Sequence, residues 1–215
     1  MNERTEAFLK DFFSRHPSMA SMQVQIRSAI DMLLSTFRSG GKLLLCGNGG
    51  SCADCDHIAG ELLKGFLLRR PVNPVLAARL KDLYGSEGSD LAGKLQQGLP
   101  AISLCTHSAA ISAFANDVEP GMVYAQQVLA YGNPGDLLLG ISTSGNASNV
   151  AYAMETAHGL GLKTLGLTGR DGGRLATLCD LALVVPEQET YRIQECHLAL
   201  YHLLCAAVEY ELFSQ

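Results

Sequence analysis

A short apolar run, closed by small residues and followed by a helical pattern, recurs five times along this 215-residue sequence. Apolar runs of this length without polar alternation are typical of strands that are buried on both faces. Because parallel strands need a crossover between them, the alternation predicts an α/β fold with a five-stranded parallel sheet covered by helices. The predicted strands are 42–46, 101–105, 137–141, 164–167 and 181–185.

The helical spacing of apolar residues predicts what surrounds this sheet. Residues 3–15 and 18–38 precede every strand, and we expect an N-terminal helical arm within 1–40 that serves oligomerisation. Segment 67–98 interrupts the alternation, and we interpret it as a partly helical insertion at a site rim or subunit contact. The whole chain, 1–215, is predicted to be one domain. Further helices are predicted at 51–63, 109–129, 147–159, 175–178 and 189–213.

Charge and composition argue against several classes of function. The chain has 21 acidic and 16 basic residues, and only Arg69 and Arg70 form a small basic cluster, so nucleic-acid binding is not expected. From its first residues and its short apolar runs we expect neither a secretory leader nor a membrane span. Its seven cysteines lack the spacing of a secreted scaffold, which predicts reduced thiols and a cytoplasmic protein.

Two loops rich in glycine and hydroxyl groups follow predicted strands. Residues 46–51 read CGNGGS and residues 142–146 read STSGN, and each loop opens into a helix. Loops at the carboxyl ends of parallel strands lie at the edge where α/β sheets bind ligands. Glycine lets the backbone approach a ligand, and the free N–H groups of a helix start favour an anion. The pair predicts phosphate binding, whereas either loop alone is also ordinary turn chemistry.

Four residues on two predicted helices could hold a divalent metal ion. His57 and Glu61 lie one helical turn apart, just beyond the first loop, and Gln194 and His202 interrupt the apolar pattern of the last helix. Imidazole and carboxylate suit zinc, and an amide oxygen is a rarer ligand. Gln194 and His202 are separated by about 12 Å along the helix axis. They could therefore share one ion only by leaning together or by coming from different subunits.

Neighbouring residues have competing interpretations. A histidine on an apolar helix face is more typical of a hydrogen-bonded core residue than of a ligand, and we interpret His197 in this way. Cys52 and Cys55 form a C-x-x-C pair beside His57, an alternative metal cluster that lacks a second cysteine pair. For Glu195 the simplest interpretation is an anchored carboxylate.

Three segments together resemble one family: GGKLLLCGNGGSCADCDHIAGEL, GDLLLGISTSGNASNV and YRIQECHLALYHLL. They resemble the sugar isomerase (SIS) proteins, and most closely the phosphoheptose isomerases. The resemblance implies a three-layer αβα sandwich of the flavodoxin-like type that converts sedoheptulose 7-phosphate to an aldoheptose 7-phosphate. It implies that the two loops hold the phosphate and that an Asn-Asp pair faces the sugar. The implied substrate-binding residues are Asn48, Gly49, Ser51, Asn116, Asp117, Ser142, Thr143, Ser144 and Gln194.

The same resemblance implies a metal centre and an assembly. It implies one zinc ion per site, bound by His57, Glu61, Gln194 and His202, with Glu61 and His202 as the catalytic acid/base pair. It also implies a homotetramer in which the N-terminal helices pack together and the sites lie between subunits.

Departures from the family pattern leave the substrate open. Ala147 stands where a serine is usual, Lys64 and Gly65 where an arginine is expected, and Tyr191 where an aspartate is expected. One alternative is therefore an isomerase of another sugar phosphate. Another is a non-catalytic module that binds a sugar phosphate or a protein partner. Such a module would have no need of all four predicted metal ligands, so the sequence favours an enzyme.

Overall fold

One parallel five-stranded sheet forms the centre of the computed structural model, which describes residues 1–214. The strands lie in the order β2-β1-β3-β4-β5, and every neighbouring pair is parallel. The order reverses direction between β1 and β3, the place where sheets of this type bind ligands. The strands are β1 (Leu43–Gly47), β2 (Ala101–Ser103), β3 (Leu137–Ile141), β4 (Lys163–Thr168) and β5 (Leu181–Val184).

Helices cover both faces of the sheet and confirm the predicted α/β class. Leu43 and Leu45 of β1 point into the core beneath α1, α2, α3 and α9, whereas Leu44 and Cys46 point into the core beneath α6 and α7. Both faces of β1 are therefore apolar, which explains the absence of polar alternation. The helices are α1 (Glu3–Arg15), α2 (Gln23–Arg38), α3 (Gly50–Leu63), α4 (Pro74–Lys94), α5 (Ser108–Asp117), α6 (Val123–Tyr131), α7 (Ser148–Gly159), α8 (Gly173–Leu178) and α9 (Thr190–Phe213).

Proline changes two of the predicted helices. The predicted helix 109–129 is wrong as a single element, because the chain leaves α5 at Val118 and passes through a 3₁₀ turn, Pro120–Met122, into α6. Proline lacks an N–H group and its ring clashes with the preceding turn, so it favours such a break. The predicted helix 18–38 likewise begins as a 3₁₀ helix, Pro17–Met22, before α2.

Segment 67–98 forms a helical hairpin that projects from the sheet. Helix α4 is sharply kinked at Gly85, whose φ is +60°. Its two halves pack closely where Gly88 faces the carbonyl of Leu80, so that a Cβ at Gly88 would collide with this carbonyl. The base of the hairpin is closed by a bridge between Pro71 and Gln96. Contact between this segment and another subunit stays a prediction.

The two N-terminal helices pack on the last helix of the same chain. Leu9 and Phe12 of α1 and Ile26 and Ile30 of α2 are buried in the core that α9 shares. Their predicted role in oligomerisation stays a prediction. None of the helices in the described part of the chain combines the length and the apolar character that crossing a membrane requires.

Candidate active site

The two glycine-rich loops meet in one cleft at the carboxyl edge of the sheet, between β1 and β3. The cleft measures about 400 Å³, within the range of small-molecule sites. Helices α3, α7 and α9 begin around it, and the N-terminus of a helix carries a partial positive charge that favours an anion. Its lining residues are uncharged: Asn48, Gly49, Gly50, Ser51, Ile141, Ser142, Thr143, Ser144, Ala147, Thr190 and Gln194.

The first loop turns sharply from β1 into α3. Gly49 has a φ of +56°, a backbone conformation that glycine adopts without strain. Ser51, in the first turn of α3, is buried. The side-chain amides of Asn48 and Asn149 exchange two hydrogen bonds of 2.9 Å, which ties the first loop to the start of α7. The two loops are thus joined before any ligand arrives.

The second loop also depends on one glycine. Gly145 has a φ of +68°, and a Cβ there would collide with the carbonyl of Gly172. The hydroxyl of Ser142 accepts a hydrogen bond from the Ala147 N–H at 3.4 Å. The N–H groups of Thr143 and Ser144 make no hydrogen bond within residues 1–214. The loop therefore offers backbone donors and hydroxyls to an anion, without a positively charged side chain.

Helices α3 and α9 bring three of the four predicted metal ligands together. His57 Nε2 lies 3.2 Å from Glu61 Oε1 and 3.4 Å from His202 Nε2, and one ligand atom from each residue lies within 4.8 Å of the others. Gln194 lies eight residues before His202, against Gly50 of the first loop, where it lines the cleft. Its place among the metal ligands stays a prediction.

Two aromatic residues that the sequence interpretation missed hold the histidines in place. The Tyr201 hydroxyl lies 2.8 Å from His57 Nδ1, and its side chain is 1% exposed. The Phe66 ring stacks on His202, with 5.5 Å between the centroids. In the sequence Tyr201 belongs to the apolar pattern of α9. Only its position next to His202 could have indicated that it contacts the site.

Burial controls the charge of the histidines and of the tyrosine. The pKa of His202 is lowered by burial and by the neighbouring His57, against the opposing effect of Glu61. Burial raises the pKa of Tyr201 well above its ordinary value, so its hydroxyl keeps its proton. His197 is fully buried, and its Nε2–H donates to the Thr168 carbonyl at 3.2 Å. Burial and this hydrogen bond confirm the interpretation of His197 as a core residue, and burial lowers its pKa to about 4.

Two of the three ligand separations in the cluster of His57, Glu61 and His202 have the size that a tetrahedral zinc ion requires. Zinc binds histidine nitrogen at about 2.0–2.1 Å, so neighbouring ligand atoms around a tetrahedral ion lie about 3.3 Å apart. The observed separations, 3.2 and 3.4 Å, have this size. Metal-binding histidines usually donate their other ring N–H to an outer partner, and the Tyr201 hydroxyl stands at that position for His57.

Other predicted residues lie outside the cluster and the cleft. Asn116 and Asp117 are exposed at the end of α5, where the Asn116 amide donates to Asp117 at 2.8 Å. Their contact with a sugar stays a prediction. Cys52 and Cys55 are free thiols, and Cys55 is buried. Within residues 1–214, neither belongs to a group of three or more candidate ligands.

Comparisons with known proteins place this chain in one family. A family model described as the SIS domain matches residues 14–88 and 81–169. A phosphoheptose isomerase from Aliarcobacter butzleri is 40% identical over 210 residues, which cover 96% of this chain and 97% of the relative. One from Helicobacter pylori is 42% identical over 192 residues, covering 89% and 86%.

A solved structure agrees with these relatives. The phosphoheptose isomerase of Neisseria gonorrhoeae has a TM-score of 0.73 and 32% identity to this chain, covering 96% of this chain and 97% of the other. From the family match and from these near full-length relatives we conclude that the chain belongs to the SIS-domain family and, within it, to the phosphoheptose isomerases.

Proposed function

We propose that the protein interconverts sedoheptulose 7-phosphate and an aldoheptose 7-phosphate by moving a proton between C1 and C2. One observation carries the proposal. Helices α3 and α9 carry the cluster of His57, Glu61 and His202, and the first turns of the same two helices line an uncharged cleft that is rich in hydrogen-bond donors. His57 in the cluster lies seven positions after Gly50 in the cleft, which corresponds to about 10 Å along α3.

The cleft takes the phosphate group and the cluster takes the other end of the sugar. The hydroxyls of Ser51, Ser142 and Ser144, with the free N–H groups of the second loop, hold the phosphate oxygens. An extended seven-carbon chain reaches from there along α3, so that C1 and C2 arrive at the cluster. The names of the relatives support this substrate class, since each is called a phosphoheptose isomerase.

Glu61 and His202 divide the proton transfers between them. Glu61 removes a proton from C1 of the ketose, leaving an enediol; the proton on its carboxyl group exchanges with water, and the carboxyl group then gives a proton to C2. The proton on O1 must reach O2, and His202 carries it between the two oxygens. The two oxygens of Glu61 have separate partners, because Oε1 faces His57 and Oε2 lies 3.2 Å from the Lys64 ammonium.

We further propose that His57, Glu61 and His202 hold a zinc ion, with Gln194 as the fourth ligand that the resemblance implies. The bound ion would supply Lewis-acid polarisation of the substrate oxygens. Equilibrium dialysis with zinc should give one ion per chain in the wild type and a much weaker site in His57→Ala. Binding that is unchanged in this variant would contradict the ligand assignment.

We also propose a cytoplasmic homotetramer whose sites are completed between subunits. The support is that 42% of the His57 side chain is exposed in the single chain and that Asn116 and Asp117, exposed at the end of α5, do not line the cleft formed by the two loops. Light scattering on purified protein should give about four times the 23.0 kDa of one chain. A monomer at assay concentration would contradict the shared site.

The reaction is tested by a matched pair of carboxylate variants. Glu61→Gln removes the proposed base, whereas Glu195→Gln makes the same change on the exposed face of α9. Positioned proton transfer contributes about 10² to 10⁴ in rate, so Glu61→Gln should lose at least that much of kcat on sedoheptulose 7-phosphate. Near-normal turnover by Glu61→Gln, or an equal loss in Glu195→Gln, would contradict the assignment.

A further inference from the structure

A fully buried ion pair joins the end of α3 to α9. Arg70 Nε donates to Glu209 Oε1 at 2.7 Å, and both side chains are 0% exposed. Arg70 follows α3 at the base of the hairpin, and Glu209 lies on α9. Burying two charges is costly unless hydrogen bonds satisfy the remaining polar atoms, so their other partners show what the pair holds.

The remaining partners of the pair are almost all backbone groups beside the catalytic cluster. Glu209 accepts hydrogen bonds from the N–H groups of Phe66, Leu67 and Leu68, at 2.8, 2.7 and 2.9 Å. Arg70 donates to the carbonyl of Leu62 at 2.8 Å and to that of Glu61 at 3.4 Å. The last carbonyls of a helix have no partner within the helix, and here one guanidinium binds two of them, sharing the carbonyl of Leu62 with the Leu99 N–H.

These contacts connect the pair to both proposed catalytic residues. One of the carbonyls that Arg70 binds belongs to Glu61 itself. One of the N–H groups that Glu209 binds belongs to Phe66, whose ring stacks on His202. Glu209 lies seven residues after His202, about two turns along the same helix. The pair therefore fixes the backbone that carries the carboxylate relative to the helix that carries the imidazole.

We propose that Arg70 and Glu209 are positioning residues, which hold Glu61 and His202 in the geometry that proton transfer requires. This proposal rests on the proposed isomerase function. Rate depends steeply on such geometry, since a displacement of about 1 Å can cost about 10²-fold in activity. Neither residue touches the phosphate cleft, which lies at the other end of α3. A loosened pair should therefore affect the chemical step and spare substrate binding.

Adjacent arginines provide a matched pair of variants. Arg70→Lys keeps the positive charge opposite Glu209 but loses the planar fork that reaches the two helix carbonyls. Arg69→Lys makes the same change at an exposed residue, which donates to the carbonyl of Gly93 in the hairpin. We expect Arg70→Lys to lose at least about tenfold in kcat, with KM within about twofold of wild type. Arg69→Lys should match the wild type in both constants.

A second readout separates positioning from general stability. Hydrogen–deuterium exchange of the amides in residues 61–68 should be faster in Arg70→Lys than in Arg69→Lys, while the melting temperature stays close to that of wild type. A kcat equal to that of Arg69→Lys would overturn the proposal. So would a joint loss of kcat and substrate binding together with a lowered melting temperature. If Arg70→Lys does not fold, Glu209→Gln is tested by the same measurements. If neither variant folds, the pair has a structural role only, and the proposal is overturned.

Failure of the proposed function gives a different result. If the wild type does not isomerise sedoheptulose 7-phosphate, the proposed function is wrong. The role of Arg70 and Glu209 is then tested by hydrogen–deuterium exchange and by the ring NMR signals of His57 and His202. Ring signals that move in Arg70→Lys but not in Arg69→Lys would still support positioning of the cluster. Unchanged signals and unchanged exchange would overturn it.

Discussion

Replacing Tyr201 by phenylalanine removes the hydroxyl that contacts His57 of the proposed metal centre and that also interacts with the Asp54 carboxyl group. The change removes only the hydroxyl that lies 2.8 Å from His57 Nδ1, and it keeps a ring that is 1% exposed. Loss of one buried hydrogen bond costs about 1 kcal/mol of unfolding free energy, which corresponds to a drop of about 2–4 °C in melting temperature. The fold should therefore survive the substitution.

The effect on function should be larger than the effect on stability. Without the hydroxyl, His57 loses the group that fixes its tautomer and ring orientation. Removal of an outer partner of a metal ligand typically costs about 10- to 100-fold in metal affinity or activity. We expect a loss of this size in zinc affinity and in kcat, measured by competition with a chelator and by turnover of sedoheptulose 7-phosphate.

The control for this prediction lies on the same helix. Tyr210→Phe removes a hydroxyl that makes no hydrogen bond among residues 1–214, so metal affinity and turnover should stay at the wild-type level. Wild-type zinc affinity and kcat in Tyr201→Phe would refute the idea that this hydroxyl orients His57. Equal losses in both tyrosine variants would refute it as well.

Three further predictions concern the loops and the core. Ser142→Ala should raise KM about tenfold or more with little change in kcat, because a hydrogen bond to a charged group contributes about 1.5–3 kcal/mol; an unchanged KM would contradict phosphate binding by this hydroxyl. Gly145→Ala should lower the free energy of unfolding in urea by at least about 1 kcal/mol, because φ is +68° and a Cβ meets Gly172, and a variant as stable as wild type would contradict this reasoning. The pKa of His197 is lowered to about 4 in the folded protein, whereas in the unfolded chain it is about 6.5. As the pH drops from about 6.5 toward 4, the unfolded chain therefore binds a proton that the folded protein does not bind. The free energy of unfolding should fall over this range by an amount of order 3 kcal/mol. His197→Gln should flatten this dependence in urea titrations at pH 7 and pH 5, and an unchanged slope would contradict the assignment.

The sequence predicts the sheet well because its strands are short, apolar and separated by strong turn signals. Leu43, Leu44, Leu45 and Cys46 lack polar alternation since both faces of β1 are covered, and this pattern distinguishes them from a surface strand. Pro120 indicates a break in the helix. Because apolar residues at helical spacing continue on both sides of it, the sequence interpretation joined α5 and α6 into one helix. Local pattern carries this information, and long-range packing determines where each element ends.

The same distinction between local pattern and long-range packing applies to the candidate site. His57 and Glu61 are one turn apart, and spacing alone predicts that they share a helix face. Contacts across the fold do not follow from spacing, as the bond between Tyr201 and His57 shows, since it joins residues 144 positions apart. Arg70 and Glu209 are 139 positions apart, so the sequence shows Arg70 only as half of a small basic cluster. Their relation to the site emerges only when α3 and α9 are packed together.

The central claim is that Glu61 moves a proton at the carbon next to the carbonyl of a substrate held by the two loops. Turnover of sedoheptulose 7-phosphate in deuterated water, followed by NMR, measures that step directly. The account predicts that the wild type places solvent deuterium at C2 of the aldose and that Glu61→Gln does so at least about 10²-fold more slowly. Deuterium at C2 appearing at the same rate in both proteins, or no isomerisation by the wild type, would contradict it.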